Sequence, residues 1–191
     1  MAAPKNLRRV DRLRELKAQI NELASKDVLV GFPEDTSKRE DDPTAITNAV
    51  LAYVHDNGAP EQNIPARPFM YPGMNAAADA IGNVLVKAAR NLLKPGRRDD
   101  ETDRYLTQAG IVAVTSIKKT ITAGIPPPLA DATLRDRLRR HKGRQGEKLE
   151  LTSRALGNAP STEYAKPLID TGQLYRAVTF VIRARKRRRT R

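Results

Sequence analysis

The stretch of residues 166–182, with the sequence KPLIDTGQLYRAVTFVI, decides the fold of this chain. It begins with an apolar pair after a proline, continues into a polar turn, and ends in a run of β-branched and aromatic residues. Asp170 and Thr171 can each accept a hydrogen bond from a downstream backbone N–H, which predicts a capped helical turn over 172–176. The Val-Thr-Phe-Val-Ile run that follows predicts a strand over 178–183, because β-branched and aromatic side chains suit a half-buried pleated surface.

This strand needs a partner. The only comparable run in the sequence is Asp-Val-Leu-Val-Gly-Phe at residues 27–32. We therefore predict an α+β fold, in which the N-terminal and C-terminal strands form one small antiparallel sheet. Long helices from the middle of the chain would pack against that sheet.

The Asp170-Thr171-Gly172 triplet allows a second interpretation. An apolar pair followed by Asp-Thr-Gly is the active-site signature of aspartic proteases, in which two carboxylates share one proton. Those enzymes consist almost wholly of strands, and a long stretch of β structure follows the motif. Here fewer than twenty residues follow it and most of the chain has a helical pattern. The capped turn is therefore the favoured interpretation.

Hydrophobic periodicity predicts several helices between the two strands and one before them. The first is amphipathic and covers about residues 4–25. The second starts at the Asp42-Pro43 pair, a typical N-cap and first helical position, and ends at Gly58. In the second helix the inward face is predicted to contain Ile46, Val50, Tyr53 and Val54. The remaining predicted helices are two long ones at 73–93 and 99–122, with small residues at 76–78, 109, 110 and 113 for close helix contact, and a short basic one at 130–140.

The predicted domain organisation has three parts. Residues 1–26 form an N-terminal amphipathic helix, 27–183 a single α+β domain, and 184–191 a basic tail. Within the domain, 141–163 contains glycines, charges and few apolar anchors, which predicts a long mobile loop. Prolines stiffen the loop 59–73, where Ile64, Phe69 and Met70 either tuck under the domain or face a partner subunit.

Composition limits the classes of function. The 191 residues contain no cysteine and no tryptophan, 39% are hydrophobic and only 4% are aromatic. These values indicate an aliphatic core without disulfides or thiolate metal ligands. No apolar run approaches the ~20 residues that a membrane-spanning helix needs. We therefore expect a soluble protein that works in the cytoplasm, or in a particle assembled there, without membrane contact.

The net charge is +13, and much of the excess lies near the C-terminal end of the sequence. Such a run is either a solvated tail or is ordered by an anionic surface, which could be phosphate or an acidic protein. Sequence alone does not decide between these alternatives. The candidate contact residues are Arg185, Lys186, Arg187, Arg188, Arg189 and Arg191.

The sequence offers little that points to catalysis. His55 and His141 are far apart and neither has a companion at metal-ligand spacing, so a helix-end histidine with local hydrogen bonds is the favoured interpretation of His55. There is no phosphate-binding glycine loop and no nucleophile elbow. We expect no enzyme activity, no metal and no cofactor. A sequence-specific nucleic-acid reader would need more aromatic stacking residues, although basic charge permits sequence-independent phosphate contact.

Three stretches together resemble a known family. They are the run Val28–Phe32, the run Ala52–Gly58 continuing into Ile64–Phe69 (IPARPF), and Pro127-Pro128-Leu129 combined with Lys166–Leu174. In that order they are similar to the tail-completion and neck proteins of long-tailed bacteriophages, including the virion-morphogenesis proteins of Mu-like phages. The resemblance covers about residues 28–182. It departs from the family at Asp56-Asn57-Gly58, where Glu-Phe-Gly is common.

The resemblance implies a structural virion protein at the head–tail junction or the top of the tail, made in the host cytoplasm. It implies a small α+β fold and a homo-oligomeric ring, commonly six-fold, that contacts the tail tube protein, neck or connector proteins and potentially the packaged double-stranded DNA. The alternative is a basic structural protein associated with nucleic acid. The candidate residues for subunit or partner contact are Ile64, Arg67, Phe69, Met70, Leu129, Asp170 and Leu174.

Overall fold

The computed structural model describes residues 5–33, 46–92, 101–141 and 143–185. Its elements comprise seven α-helices and two strands in those ranges, with a short 3₁₀ turn at Pro60–Gln62. In chain order they are α1 (Lys5–Ala24), β1 (Lys26–Gly31), α2 (Asn48–Asn57), α3 (Met70–Leu92), α4 (Glu101–Ala123), α5 (Asp131–Arg140), α6 (Gln145–Ala155), α7 (Gln173–Ala177) and β2 (Thr179–Ala184).

The α+β prediction is confirmed: β1 and β2 form a two-stranded antiparallel sheet that packs against helices. Their pairing continues one step beyond the strands, where the Arg185 N–H donates to the Ser25 carbonyl oxygen at 2.6 Å. The inner face of the sheet is anchored by Phe180, whose ring lies against Gly110 of α4. A methyl group at Gly110 would collide with that ring, so the glycine leaves the space that the ring fills. Gly110, predicted as a helix contact, therefore contacts a strand.

The chain divides into two compact units, and the predicted 27–183 domain is distributed between them. The first, here the sheet unit, contains Met1–Val30, Ala77–Ala113 and Phe180–Arg191. The second, here the motif unit, contains Gly31–Ala76 and Val114–Thr179. Each has its own buried apolar side chains. They include Val84, Leu106 and Ala109 in the sheet unit, and Phe69, Ile117, Ile121, Leu134 and Val178 in the motif unit.

Within the motif unit, the start of α3 and the end of α4 approach closely. The Cα of Ile117 would lie only 2.7 Å from a Cβ added at Gly73. The Ser116 hydroxyl donates to the Gly73 carbonyl oxygen at 2.7 Å, which fixes the approach with a hydrogen bond. A lone glycine after a proline is equally typical of a turn, so the sequence of Gly73 does not reveal this close approach.

The predicted inward face of α2 was wrong for Ile46, Val50 and Tyr53, whereas its fourth member, Val54, is half-buried. The described helix begins at Asn48, after Thr47, whose hydroxyl accepts from the Val50 N–H at 3.3 Å; the expected start at residues 42–43 lies outside the described residues. The buried side chains are Asn48 and Ala52, whereas Ile46, Val50 and Tyr53 are 60%, 50% and 70% exposed. The periodicity identified which residues share an apolar face, but most of that face is exposed and not buried, because α2 packs its other face against α7.

The long loop predicted at 141–163 was also wrong, because residues 145–155 form α6. Glu150 of this helix is almost completely buried and accepts hydrogen bonds from the Ser161 N–H (2.7 Å) and hydroxyl (2.8 Å). Arg154 donates to Glu150 at 2.9 Å and to Asp131 of α5 at 2.6 Å. These contacts fasten α6 to α5 and to the segment after it. These contacts are polar and involve residues outside the helix, so the apolar periodicity of the sequence does not predict α6.

Candidate functional site

Two of the segments that carry the family resemblance, the 52–69 stretch and Pro127-Pro128-Leu129, meet within the motif unit at what we call the motif junction: Asp56, Arg67, Phe69 and Pro127. The Arg67 guanidinium donates to the Pro127 carbonyl oxygen through Nε at 3.0 Å and Nη2 at 2.8 Å. The Arg67 N–H donates to the His55 carbonyl oxygen at 2.7 Å. Prolines lack an N–H, but their carbonyl oxygens remain strong acceptors, and a planar guanidinium satisfies this one with two donors.

Asp56 holds the other side of the junction. Its Oδ1 accepts from the backbone N–H groups of Phe69 at 2.7 Å and Met70 at 3.0 Å. These are among the free N–H groups at the start of α3, so the carboxylate caps that helix and complements its positive end. Gly58 has φ +81°, and an added Cβ there would lie 2.7 Å from the Ala66 nitrogen. Asp56 and Gly58 of the Asp-Asn-Gly turn therefore each have a structural role.

A second group of charged side chains lies around Asp170. We call it the arginine–carboxylate cluster: Arg137, Arg140, Arg144, Glu147 and Asp170. Arg140 binds Asp170 Oδ2 at 3.0 Å, and Arg144 reaches Oδ1 at 3.1 Å and also the Asp170 carbonyl oxygen. Arg144 further binds Glu147 at 2.6 Å. The expected capping role of Asp170 is therefore wrong, since arginines of α5 and the α5–α6 turn occupy its carboxylate. The same expectation is met at Thr171, whose hydroxyl accepts a 3.4 Å hydrogen bond from the Gln173 N–H.

Arg137 is the buried centre of this cluster. Its guanidinium donates to three backbone carbonyl oxygens, those of Lys166 (3.1 Å), Pro167 (2.7 Å) and Ile169 (3.0 Å). Burial lowers the pKa of Arg137, while the nearby Asp170 and Glu147 carboxylates oppose the shift. The arginine thus fixes the 166–169 segment in the same way that Arg67 fixes the proline segment. Sequence reasoning missed this role because four arginines of one helix look alike in a sequence.

A cavity of about 390 Å³ opens beside the cluster. Its walls come from α2, α5 and the segment that leads into α7; they include Asn48, Leu51, His55, Thr133, Arg137, Arg140, Asp170 and Leu174. Among the described residues, no hydrogen-bond partner reaches the buried Asn48 Oδ1 or the buried His55 Nδ1. The expectation that local hydrogen bonds satisfy His55 is therefore wrong for this nitrogen. Burial, followed by the charges of Arg67 and Arg137, lowers the pKa of His55.

The predicted contact residues fall into two groups. Arg67, Phe69, Leu129 and Leu174 are buried, and the Phe69 ring packs edge-on against Phe32 with their centroids 6.3 Å apart. The tucked alternative for Phe69 is the one observed. The half-buried candidates are Ile64, Met70 and Asp170. Any subunit contact through these seven residues stays a prediction.

Of the six candidate contact residues in the basic tail, only Arg185 lies within the described residues. Its side chain is 67% exposed and approaches Asp27 at 4.0 Å. The other candidates, Lys186, Arg187, Arg188, Arg189 and Arg191, lie outside the described residues.

The described residues contain no cluster of three or more His, Asp or Glu side chains arranged to hold a metal ion. None of the helices in the described ranges combines the length and apolarity that crossing a bilayer requires. Asp170 has guanidinium partners, which differs from the two carboxylates sharing a proton in an aspartic protease. No protein-family model, curated protein or solved structure matches this chain.

Proposed function

We propose that this chain is a structural virion protein at the head–tail junction, or the top of the tail, of a long-tailed bacteriophage. In this proposal its copies assemble as a six-fold ring that joins the tail tube to the neck, without catalysis. The starting point is the resemblance of three sequence segments to tail-completion and neck proteins. The contact of Arg67 with Pro127 supports it, because it links two of these segments and gives a physical reason why they occur together; the contact of Asp56 with Phe69 holds the two halves of one of them in place.

The observation that carries the proposal is the outward apolar stripe of α2. It consists of Val50 and Tyr53 of the helix together with Ile46, two residues before the helix begins; these follow one another at spacings of four and three residues, and each is at least half exposed. Isolated exposed apolar residues are ordinary on a protein surface, but a row on one side of a helix is typical of a surface that another protein covers. A protein that works inside an assembled particle is expected to have such a surface.

A basic structural protein associated with nucleic acid is the second candidate, and the net charge of +13 favours it. Such a protein would bind duplex DNA as an isolated chain, with an affinity that falls steeply as salt rises. The virion proposal instead requires incorporation into particles. Under the virion proposal, any contact with DNA would occur only after the ring has assembled, and not in the isolated chain.

Electron microscopy of phage lysates tests the proposal. Deleting the gene from the phage genome that encodes this chain should leave heads and tails unjoined, and expression from a plasmid should restore joined particles. The variants Val50→Asp and Tyr53→Asp should fail to restore them, whereas Glu61→Lys, an exposed change outside the stripe, should succeed. Normal infective particles after the deletion would overturn the proposal. If salt-sensitive DNA binding by the monomer accompanied that result, the second candidate would take its place.

A further inference from the structure

The sheet of this protein is unusually small. Within the described residues it contains β1 and β2 alone, so no third strand pairs with the outer edge of either. No backbone hydrogen bond from a described loop or helix reaches Val28, Val30, Phe180 or Ile182. An isolated two-stranded sheet is marginally stable, and unpaired strand edges are templates for further pairing. Both edges of this sheet are therefore candidates for a contact between chains.

The outer face of the sheet gives the two edges different chemistry. Strands of equal length in antiparallel pairing place Leu29 beside Val181, and these side chains are 37% and 40% exposed. On β1 the neighbouring outer residue is the acidic Asp27, whereas β2 continues into Arg183 and Arg185, of which Arg185 also approaches Asp27 of its own chain at 4.0 Å. The β1 edge thus combines an apolar residue with a negative charge, and the β2 edge combines one with positive charges. Opposite charges placed across a strand pair stabilise it.

Two of the chain's own remaining segments, 34–45 and 186–191, are poor partners for these edges by composition. The segment 34–45 has five acidic residues, one proline and no large apolar or aromatic residue. Such a composition disfavours strand formation. The segment 186–191 is nearly all basic and follows β2 directly in the chain. A second copy of this chain, in contrast, offers a strand edge that also has an exposed apolar residue and that has the opposite charge.

We propose that the β1 edge of one copy pairs with the β2 edge of the next, so that one antiparallel sheet runs through the contact. This inference rests on the proposed ring. Because β1 and β2 run in opposite directions, copies related by rotation about one axis present alternating strands, which antiparallel pairing requires. The contact joins two different edges, and such a head-to-tail contact propagates into a ring when the rotation closes. A β1–β1 contact would instead stop at a dimer.

The absence of cysteine from the chain allows a clean cross-linking test. Two single-cysteine versions are co-expressed, so that any disulfide between them joins two copies. Leu29→Cys is combined in turn with Thr179→Cys, Val181→Cys and Arg183→Cys, which sample different registers on the same face of β2. Assembled particles are purified and oxidised, and the disulfide-linked dimer is measured on a non-reducing gel.

The expected result is a linked dimer with at least one of these three combinations and none with Leu29→Cys alone. Leu29→Cys combined with Leu156→Cys, an exposed position in the motif unit, is the matched control and should give no dimer. A dimer from Leu29→Cys alone would show that like edges meet, which overturns the proposal. If the particles contain the protein but no combination cross-links, the sheet contact is wrong and the proposed function stands. If the protein is absent from particles, both fail.

Discussion

Arg67 and Pro127 are joined by two hydrogen bonds from one guanidinium to one carbonyl oxygen, at 3.0 and 2.8 Å, although sixty residues separate them. Arg67 is 6% exposed, so these bonds form in a largely water-free site. Burial lowers the pKa of Arg67, and the charge of Arg137 adds to the effect. The buried Arg67 guanidinium thus holds the proline segment. The cost of burying its charge is offset only while the Pro127 carbonyl oxygen stays in place to accept its hydrogen bonds.

Arg67→Ala should therefore destabilise the protein by about 2–4 kcal/mol, because it removes charge-assisted hydrogen bonds and leaves the Pro127 carbonyl oxygen without its donor. Arg67→Lys should recover only part of the loss, since an ammonium lacks the planar pair of donors. Chemical denaturation measures both. Arg139→Ala is the control, because Arg139 is 78% exposed and a surface change of this kind costs within about 0.5 kcal/mol. Equal effects of Arg67→Ala and Arg139→Ala would contradict the assignment.

Gly110 and Gly82 form a second matched pair. Gly110→Ala would place a methyl group inside the Phe180 ring, so it should cost about 1–3 kcal/mol through displacement of the ring and β2. Gly82 also lies in a long helix, but an added Cβ there meets nothing within 4 Å. Gly82→Ala should raise stability by up to about 1 kcal/mol, because alanine favours the helix. Thermal denaturation compares the two; a stabilising Gly110→Ala would show that Phe180 packs elsewhere.

His55 should make folding stability depend on pH. Burial lowers its pKa below the ordinary 6.5, and Arg67 and Arg137 contribute in the same direction. The unfolded chain therefore takes up this proton more readily than the folded protein, so stability is lost as pH falls through and below about 6.5. His55→Gln should flatten the loss between pH 7.5 and pH values below 6.5, as measured by urea denaturation. An unchanged slope in His55→Gln would refute the assignment.

Glu150 should govern the stability of α6. Burial, the largest influence, raises the pKa of Glu150, but hydrogen bonds from Ser161 and Arg154 outweigh it and the net pKa is lowered from 4.5. This carboxylate therefore contributes stability above pH 4.5 that is lost as pH falls through its folded pKa. Glu150→Gln should cost about 1–3 kcal/mol at neutral pH, because it weakens the bond from Arg154.

The readout for Glu150→Gln is amide hydrogen exchange, which should accelerate across α6. Glu163→Gln, an exposed change just beyond the Ser161 contact, is the control and should leave exchange unaltered. Uniform acceleration across α1 as well would contradict a local role.

Local sequence signals were sufficient for the strands and the long helices. The β-branched runs of β1 and β2 are distinct from everything between them, so their pairing could be predicted from 191 residues. The same signals failed where distant residues decide the outcome. Ser161 and Asp131 stabilise α6 although they lie outside it, and the apolar side of α2 faces outward because its other side packs on α7.

The candidate site was only partly predictable for the same reason. Arg67 was recognised as a side chain held by rigid prolines, but its partner is a carbonyl oxygen, which has no signature in a sequence. Asp170 was assigned to its own turn, because arginines 26 to 33 residues earlier cannot be matched to it by spacing. Which charged residues pair across long stretches of the chain can be read from the structure but not from the sequence.

The pairing of β1 with β2 also has a consequence for the order of events during synthesis. The ribosome completes β1 at residue 31 but does not make β2 until residues 179–184. Throughout the translation of everything between them, β1 has no intrachain partner, and contacts so distant in sequence form slowly. A nascent chain interrupted before residue 179 therefore cannot complete the sheet. The sheet, and the folding that depends on it, therefore comes only after translation has passed β2.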